Sequence, residues 1–242
     1  MHCKGRLPGF LSFWPRFDLQ LSQHCAGVSR HDPEPTSNRS RIQNPVRYSH
    51  TSDYPSDILA RAAKVKLACF DVDGTLTDGR LIYDGEGREF KAFHATDGLG
   101  LKLLQSAGIA VAFITARRSP VAELRAKELG VASHTFVHDK LAKVREIAGE
   151  MGIGLEQVAF MGDDLADLSA LMAAGLAVAP ANAHAWTRER VHWRTVAHGG
   201  AGAARELCDL ILAAQGHVDA LIEQATQGSG LLDAALKHGA QA

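Results

Sequence analysis

From residue 56 to 215, short apolar runs alternate with helix-period segments, and this alternation constrains the fold of the 242-residue chain more than any other feature. Apolar runs at 66–72, 110–115, 134–137, 158–161, 176–179 and 191–196 read as strands, the last at a sheet edge. Between them lie helical segments at 56–63, 97–107, 120–129 and 140–151, one that follows Gly162-Asp163-Asp164 and reaches 174, and one at 203–214. Ser56 is a candidate N-cap. Leu99, Leu103 and Leu104 share a helix face, and Gly108 and Gly130 are helix stops. Strands apolar on both faces belong to a parallel sheet covered by helices on both sides, joined by right-handed crossovers. The expected fold class is therefore α/β, a doubly wound, parallel, Rossmann-like sheet. One interruption stands out. Residues 81–83 and 89–93 flank Asp84-Gly85-Glu86-Gly87, a turn sequence that predicts a β-hairpin directly after the first strand.

Sites in such sheets lie outside the carboxyl ends of the strands. The first strand ends in Asp71-Val72-Asp73-Gly74-Thr75. Two carboxylates so close together repel, and burial at a sheet edge raises the cost. A hard cation such as Mg²⁺ relieves it, taking oxygen ligands while keeping positions for water and a substrate phosphate. Gly74 lets the backbone turn away without a side chain in the path of approach. The competing reading is a strand that simply leaves into a polar turn. Thr115, Lys140 and Asp163 fall at or just after later strand ends, so one pocket can collect them with Asp71 and Asp73.

Charge narrows the function classes. Residues 1–52 hold seven Lys/Arg and three Asp/Glu of the chain's 26 and 27, leaving 19 basic against 24 acidic residues in the remainder. A mildly acidic body argues against general nucleic-acid binding, so an anionic substrate has to be met by local Lys and Arg. Cys3, Cys25, Cys69 and Cys208 show no CxxC spacing, and Cys69 lies within the first strand, which suggests reduced thiols. The apolar stretch 9–14 is too short for a signal core or a membrane span. These features predict a cytoplasmic protein with no membrane or nucleic-acid partner. Segment 1–52 has no sustained period and is rich in Ser, Arg, His, Pro and Asn, so it is expected to be a disordered tail or sequence upstream of the true start. The domain is expected at 53–215 with its hairpin at 80–93, and a helical tail at 216–242.

In order along the chain, DVDGTLTDG at 71–79, LIYDGEGREFKAF at 81–93, DGLG at 97–100, ITARR at 114–118, GDDLAD at 162–167 and GGAGAARE at 199–206 resemble the haloacid dehalogenase-like phosphohydrolases. Within that superfamily the sequence is most similar to the phosphatases of 3-deoxy-D-manno-octulosonate 8-phosphate. The resemblance covers about residues 56–215, most of the chain outside its two ends. It implies a phosphomonoesterase with Mg²⁺ as cofactor, acting on a sugar-acid phosphate whose product feeds lipopolysaccharide synthesis. A related nine-carbon sugar-acid 9-phosphate is the alternative substrate. A catalytically inactive oligomeric binding protein is the remaining alternative, disfavoured because a binding module has no need of so costly a carboxylate pair.

Under this reading Asp71 is the nucleophile, forming an acyl-phosphate that splits one difficult displacement into two steps. Asp73 serves as general acid and then base, and the resemblance implies that its backbone carbonyl contacts the metal. Asp163 is expected as a metal ligand beside Asp71 and Asp73. Asp164 and Asp167 fit either the metal site or a helix start. The hydroxyl and amide of Thr115 could hold a phosphoryl oxygen. Lys140 opens a helix, where a cation is unfavourable, so an anionic partner is expected there. From matching positions the resemblance carries over substrate contacts at His94, Ala95, Thr96, Asp97, Gly98, Lys102, Arg117 and Arg125. Arg offers a planar fork suited to a carboxylate. The stretch between the first strand and DGLG has room for a hairpin but not a cap domain. The family's solution is a homotetramer whose hairpins join and whose neighbouring C-terminal segment covers the pocket. A hairpin alone is marginal in water, which also favours a partner. Three positions depart from the family pattern: Ala116 where Gly is frequent, a loop before Lys140 that is shorter than usual, and Ala201 where an Arg often stands.

Overall fold

The computed structural model describes residues 54–227. The expected tail at 1–52, with Cys3 and Cys25, lies outside the described residues, as does the C-terminal segment beyond 227. The chain runs α1 (Ser56–Ala62), β1 (Leu67–Phe70), β2 (Ile82–Tyr83), β3 (Glu89–Phe90), α2 (Ala95–Ser106), β4 (Ala110–Ile114), α3 (Pro120–Leu129) and β5 (Ala132–His134). It continues through α4 (Lys140–Glu150), β6 (Val158–Met161), α5 (Leu168–Ala173), β7 (Leu176–Ala179), α6 (Ala185–Arg188), β8 (Trp193–Arg194), α7 (Ala203–Ala214) and α8 (Val218–Thr226).

Six strands form one sheet in the order β5-β4-β1-β6-β7-β8, and every neighbouring pair is parallel. Strand β1 is central: the chain leaves it for β4 and β5 on one side, then crosses to β6, β7 and β8 on the other. That reversal opens a crevice at the carboxyl end of β1. Alternate residues of the strands feed two cores. Ala68, Phe70, Phe113 and Met161 pack with α1, α2, α3 and α7, while Leu67, Cys69, Ile114 and Phe160 pack with α4 and α5. Phe70, Phe113 and Phe160 are fully buried, each burial contributing about 1.5–3 kcal/mol. Cys69 and Cys208 are buried free thiols, and burial pushes the Cys69 thiol up to about 12, so it acts as a small inert hydrophobe. Among the described residues, no helix is long and apolar enough to cross a membrane.

Several sequence-based boundaries shift, each for a local reason. Ser56 is the first residue of α1, not its cap; Pro55 holds the cap position with no side-chain bond. Helix α2 starts at Ala95, because Asp97 is used to cap a different helix and does not mark the beginning of its own. Strand β5 occupies Ala132–His134, not 134–137, because the chain leaves the sheet at Thr135 and Phe136 turns into the left-handed region at φ 56°. The short α6 has no apolar period to announce it. The hairpin forms as expected, with Ile82 opposite Phe90 and Tyr83 opposite Glu89.

Candidate active site

Asp71 follows β1 directly, and its backbone amide donates to Met161 O at 2.9 Å, extending the ladder to β6 by one residue. Its side chain therefore emerges in the crevice between the ends of β1 and β6. Gly162 and Asp163 follow β6 in the same way, and Thr115 follows β4. Lys140 is the first residue of α4, where its charge opposes the helix dipole. Asp139 offsets part of that cost by accepting from the amide of Ala142 at 2.9 Å. The remainder is met by carboxylates. Lys140 Nζ lies 2.6 Å from Asp71 Oδ1 and 2.5 Å from Asp167 Oδ1, and its side chain is 2 % exposed. The short 136–139 loop thus delivers Lys140 fully into the site, with Phe136 in its left-handed conformation and Val137 N donating to Thr115 O at 3.0 Å.

Asp71, Asp163 and Asp167 each place one carboxylate oxygen within 4.8 Å of the others. Asp167 is buried and accepts from the amides of Asp163 and Asp164 at 3.0 and 3.2 Å, so it shapes the turn and joins the cluster at once. Asp164 caps this turn from outside and is exposed. Thr75 Oγ1 donates to Asp163 Oδ1 at 3.1 Å. Gly74, at φ +95°, could not carry a side chain: a Cβ there would meet Asp163 Oδ2 at 2.2 Å. Burial pushes Asp71 up to about 8, with the charges of Asp167 and Asp163 adding to the rise and Lys140 opposing it. Burial and the Asp167 charge push Asp163 up to about 6. Burial alone would pull Lys140 down, but its two carboxylate partners hold it above its ordinary value. Three crowded carboxylates against one ammonium leave an anionic site, and a hard divalent cation with oxygen ligands fits that donor set.

The Asp73 side chain does not join this cluster. Its Oδ1 pairs with the Lys91 ammonium, and its Oδ2 faces Arg117 Nε at 3.7 Å. Arg117 Nη2 donates to Glu89 Oε1 and to Tyr83 OH, both at 2.8 Å, so its fork holds the hairpin. Thr115 is buried, and its hydroxyl accepts from the amide of Arg117 at 3.2 Å. His94, Ala95 and Thr96 are exposed at the start of α2, with His94 Nδ1 2.7 Å from Thr96 Oγ1. Asp97 turns inward and accepts from Gly202 N and Arg205 N at 3.3 and 2.8 Å, capping α7. Burial pushes Asp97 up, and those two amides oppose the rise. Gly98 is buried against the Arg125 guanidinium, which also pairs with Glu128 at 2.8 Å and sits 5.8 Å from the Phe93 ring. Lys102 is half-buried on the next turn of α2.

The structure therefore brings Asp71, Lys140 and Asp163 together, and sets Asp73, Thr115 and Arg117 along the rim nearest the hairpin. Lys91, Glu89 and Ser119 are polar members of that rim that the motifs did not single out. For Glu89 and Lys91 the signal lies in the hairpin's period of two, which puts them on one face while Phe90 points away.

A parallel sheet with an acidic cluster and a buried lysine at its central strand end defines a haloacid dehalogenase-like phosphohydrolase, and the family model for haloacid dehalogenase-like hydrolases matches residues 137–207. The 3-deoxy-D-manno-octulosonate 8-phosphate phosphatase of Yersinia pestis is 42 % identical over 161 residues, 66 % of this chain and 86 % of the relative. The solved structure of the phosphatase of that name from Moraxella catarrhalis, in complex with magnesium ion, phosphate ion and KDO, superposes with a TM-score of 0.69 at 42 % identity, covering 71 % of this chain and 99 % of that one. A hypothetical protein of Xanthomonas campestris is 59 % identical with a TM-score of 0.72, covering 73 % and 97 %. The chain belongs to the 3-deoxy-D-manno-octulosonate 8-phosphate phosphatase family.

Proposed function

We propose that the protein hydrolyses 3-deoxy-D-manno-octulosonate 8-phosphate to the free sugar acid and phosphate, with Mg²⁺ as cofactor, as a cytoplasmic step of lipopolysaccharide synthesis. The observation that carries this reading is Lys140, buried between Asp71 and Asp167 with Asp163 alongside, at the end of the central strand. Asp71 and Asp163, with the backbone carbonyl of Asp73, would hold the cation, and Asp167 adds its charge beside them. When bound there, Mg²⁺ neutralises the carboxylates and draws charge from the phosphoryl oxygens.

The side chains divide the remaining work. Asp71 attacks phosphorus, and Lys140 stabilises the charge that spreads over the transferring group. Asp73 gives a proton to the departing sugar oxygen and takes one from the water that cleaves the aspartyl-phosphate. Thr115 binds a phosphoryl oxygen. His94 just before α2, Ala95, Thr96 and Lys102 on it, and Arg125 on α3 meet the sugar acid. The protein works as a homotetramer: Leu81, Ile82, Tyr83 and Phe90 are 50–53 % exposed on one small hairpin, an apolar surface suited to packing against its copies.

Phosphate release with Mg²⁺ across a panel of sugar phosphates tests the proposal. Turnover should be fastest on the eight-carbon sugar-acid 8-phosphate. Preference for a nine-carbon 9-phosphate would change the substrate, and no turnover on any substrate would leave a binding protein.

A further inference from the structure

Helix α8 carries an apolar face that is only partly covered. Val218, Leu221, Ile222 and Ala225 recur at the spacing of one helix face. None of the nine residues of α8 is fully buried, and Ile222 is 51 % exposed. So short a helix is marginal in water unless its apolar face packs. Tyr54, Leu99 and Leu103 of α2 and Leu212 of α7 stand across from it, and the two sides line an open groove of about 430 Å³. The sequence supplies a cover next door. Gly228-Ser229-Gly230 follows α8, and Leu231-Leu232-Asp233-Ala234-Ala235-Leu236-Lys237-His238 comes after it. At helical spacing Leu231, Leu232, Ala235 and Leu236 share one face, while Asp233 and Lys237 share the opposite one. Glycines on both sides of Ser229 allow the backbone to reverse, and a connection over 227–230 has the length of an αα-hairpin loop. Helical residues 231–238 would span about 12 Å, close to the ~13 Å of α8. The chain also enters the groove at Tyr54, but residues 1–52 have no sustained apolar period to lay along it.

We propose that residues 231–238 form a helix that folds back along α8 and seats its apolar face in the groove of its own subunit. In antiparallel register about the 227–230 turn, Leu232 comes opposite Ala225, Ala235 opposite Ile222 and Leu236 opposite Leu221. A large side chain meets a small one in the first two pairs, so the faces interdigitate without a void. The segment also closes over Leu99 and Leu103 of α2, the helix that carries Ala95, Thr96 and Lys102. It braces that helix without touching the acidic cluster, none of whose residues lines the groove. Residues 231–238 thus stay on their own subunit and do not reach a neighbour's pocket, the place that the family resemblance implies for the C-terminal segment.

Cysteines placed across the hairpin test the docking. In the full chain carrying Cys3→Ser and Cys25→Ser, Ile222→Cys and Ala235→Cys are introduced together and the protein is oxidised with copper phenanthroline. Cys69 and Cys208 stay in place, since both are buried. A disulfide needs its two Cβ atoms about 4 Å apart. A bond between positions 222 and 235 should form within one chain, seen as a single-chain band on a non-reducing gel and as a linked peptide by mass spectrometry. Asp233→Cys in place of Ala235→Cys lies on the opposite face and should not bond to position 222. A 222–235 bond between two chains would put the segment on a second copy and overturn the proposal. Absence of the bond, or equal bonding from position 233, would overturn it as well. Should Ile222→Cys disturb α8, Leu221→Cys with Leu236→Cys provides the second pair. Hydrogen exchange of the full chain gives an independent reading: Leu232→Asp with Leu236→Asp should speed exchange of the α8 amides about tenfold or more. Unchanged exchange would overturn the docking. So would the same acceleration from Phe13→Asp with Trp14→Asp, which would give the groove to the N-terminal segment.

Discussion

Replacing Lys140 with Met probes the site through its folding energy. The ammonium is buried between two carboxylates at 2.6 and 2.5 Å, with a third carboxylate in the same cluster. Removing one partner of a buried ion pair costs about 3–5 kcal/mol, because the charge left behind has no compensation. Two orphaned carboxylates place the cost near the upper end, a large share of the ~5–15 kcal/mol that stabilises a typical domain. At roughly 2–4 °C per kcal/mol for a domain of this size, the melting temperature should fall by about 10–15 °C in EDTA near pH 10, where Asp71 is ionised. Excess magnesium should restore more of the variant's loss than it adds to wild type, since the cation takes over part of the ammonium's role. Near pH 5 the deficit should shrink, because a protonated Asp71 needs no partner. Circular-dichroism melts of both proteins under these conditions give every quantity. A fall of less than about 3 °C in EDTA, or an equal magnesium gain in both proteins, would refute the view that Lys140 neutralises this cluster.

Two further outcomes follow from the same crowding. In metal-free wild type, Asp71 at about 8 and Asp163 at about 6 both lie above their ordinary value of 3.8. The stability that they contribute is fully present below about pH 4 and is lost as pH rises through those values. Melts in EDTA should therefore weaken between about pH 5.5 and 8.5 and flatten when magnesium is added; strengthening over that range without metal would contradict the shifts. Gly74→Ala adds a Cβ 2.2 Å from Asp163 Oδ2 at a backbone φ of +95°. It should cost about 1–2 kcal/mol from the left-handed backbone alone and weaken magnesium binding in titration calorimetry, and unchanged affinity would show that Asp163 is not a ligand.

The sheet was legible because its strands are apolar on both faces and its helices are not, so burial writes the same pattern in sequence and space. Pro120–Leu129, Val158–Met161, Leu176–Ala179 and Ala203–Ala214 lie where the pattern puts them. Lys140 was legible for an electrostatic reason: a lysine at a helix start calls for an anion, and two are there. What escaped depends on contacts between distant segments. Asp97 stands in a family motif, yet its carboxylate caps a helix more than 100 residues later, as its bond to Arg205 N shows. Asp167 reads equally as a helix-start residue or a ligand because its carboxylate faces both ways, accepting from two amides of the turn and pairing with the lysine of the cluster. Lys91 looks like an ordinary hairpin cation until the hairpin folds down and buries it against Asp73.

Asp71 as the nucleophile is the central assignment, and it can be tested by chemical trapping. The reaction with 3-deoxy-D-manno-octulosonate 8-phosphate and magnesium is quenched during turnover and treated with borohydride, which reduces an acyl-phosphate to an alcohol. Peptide mass spectrometry should then find homoserine at position 71 and aspartate unchanged at 73, 163 and 167. Full turnover with Asp71 unmodified, or homoserine at another position, would contradict the assignment.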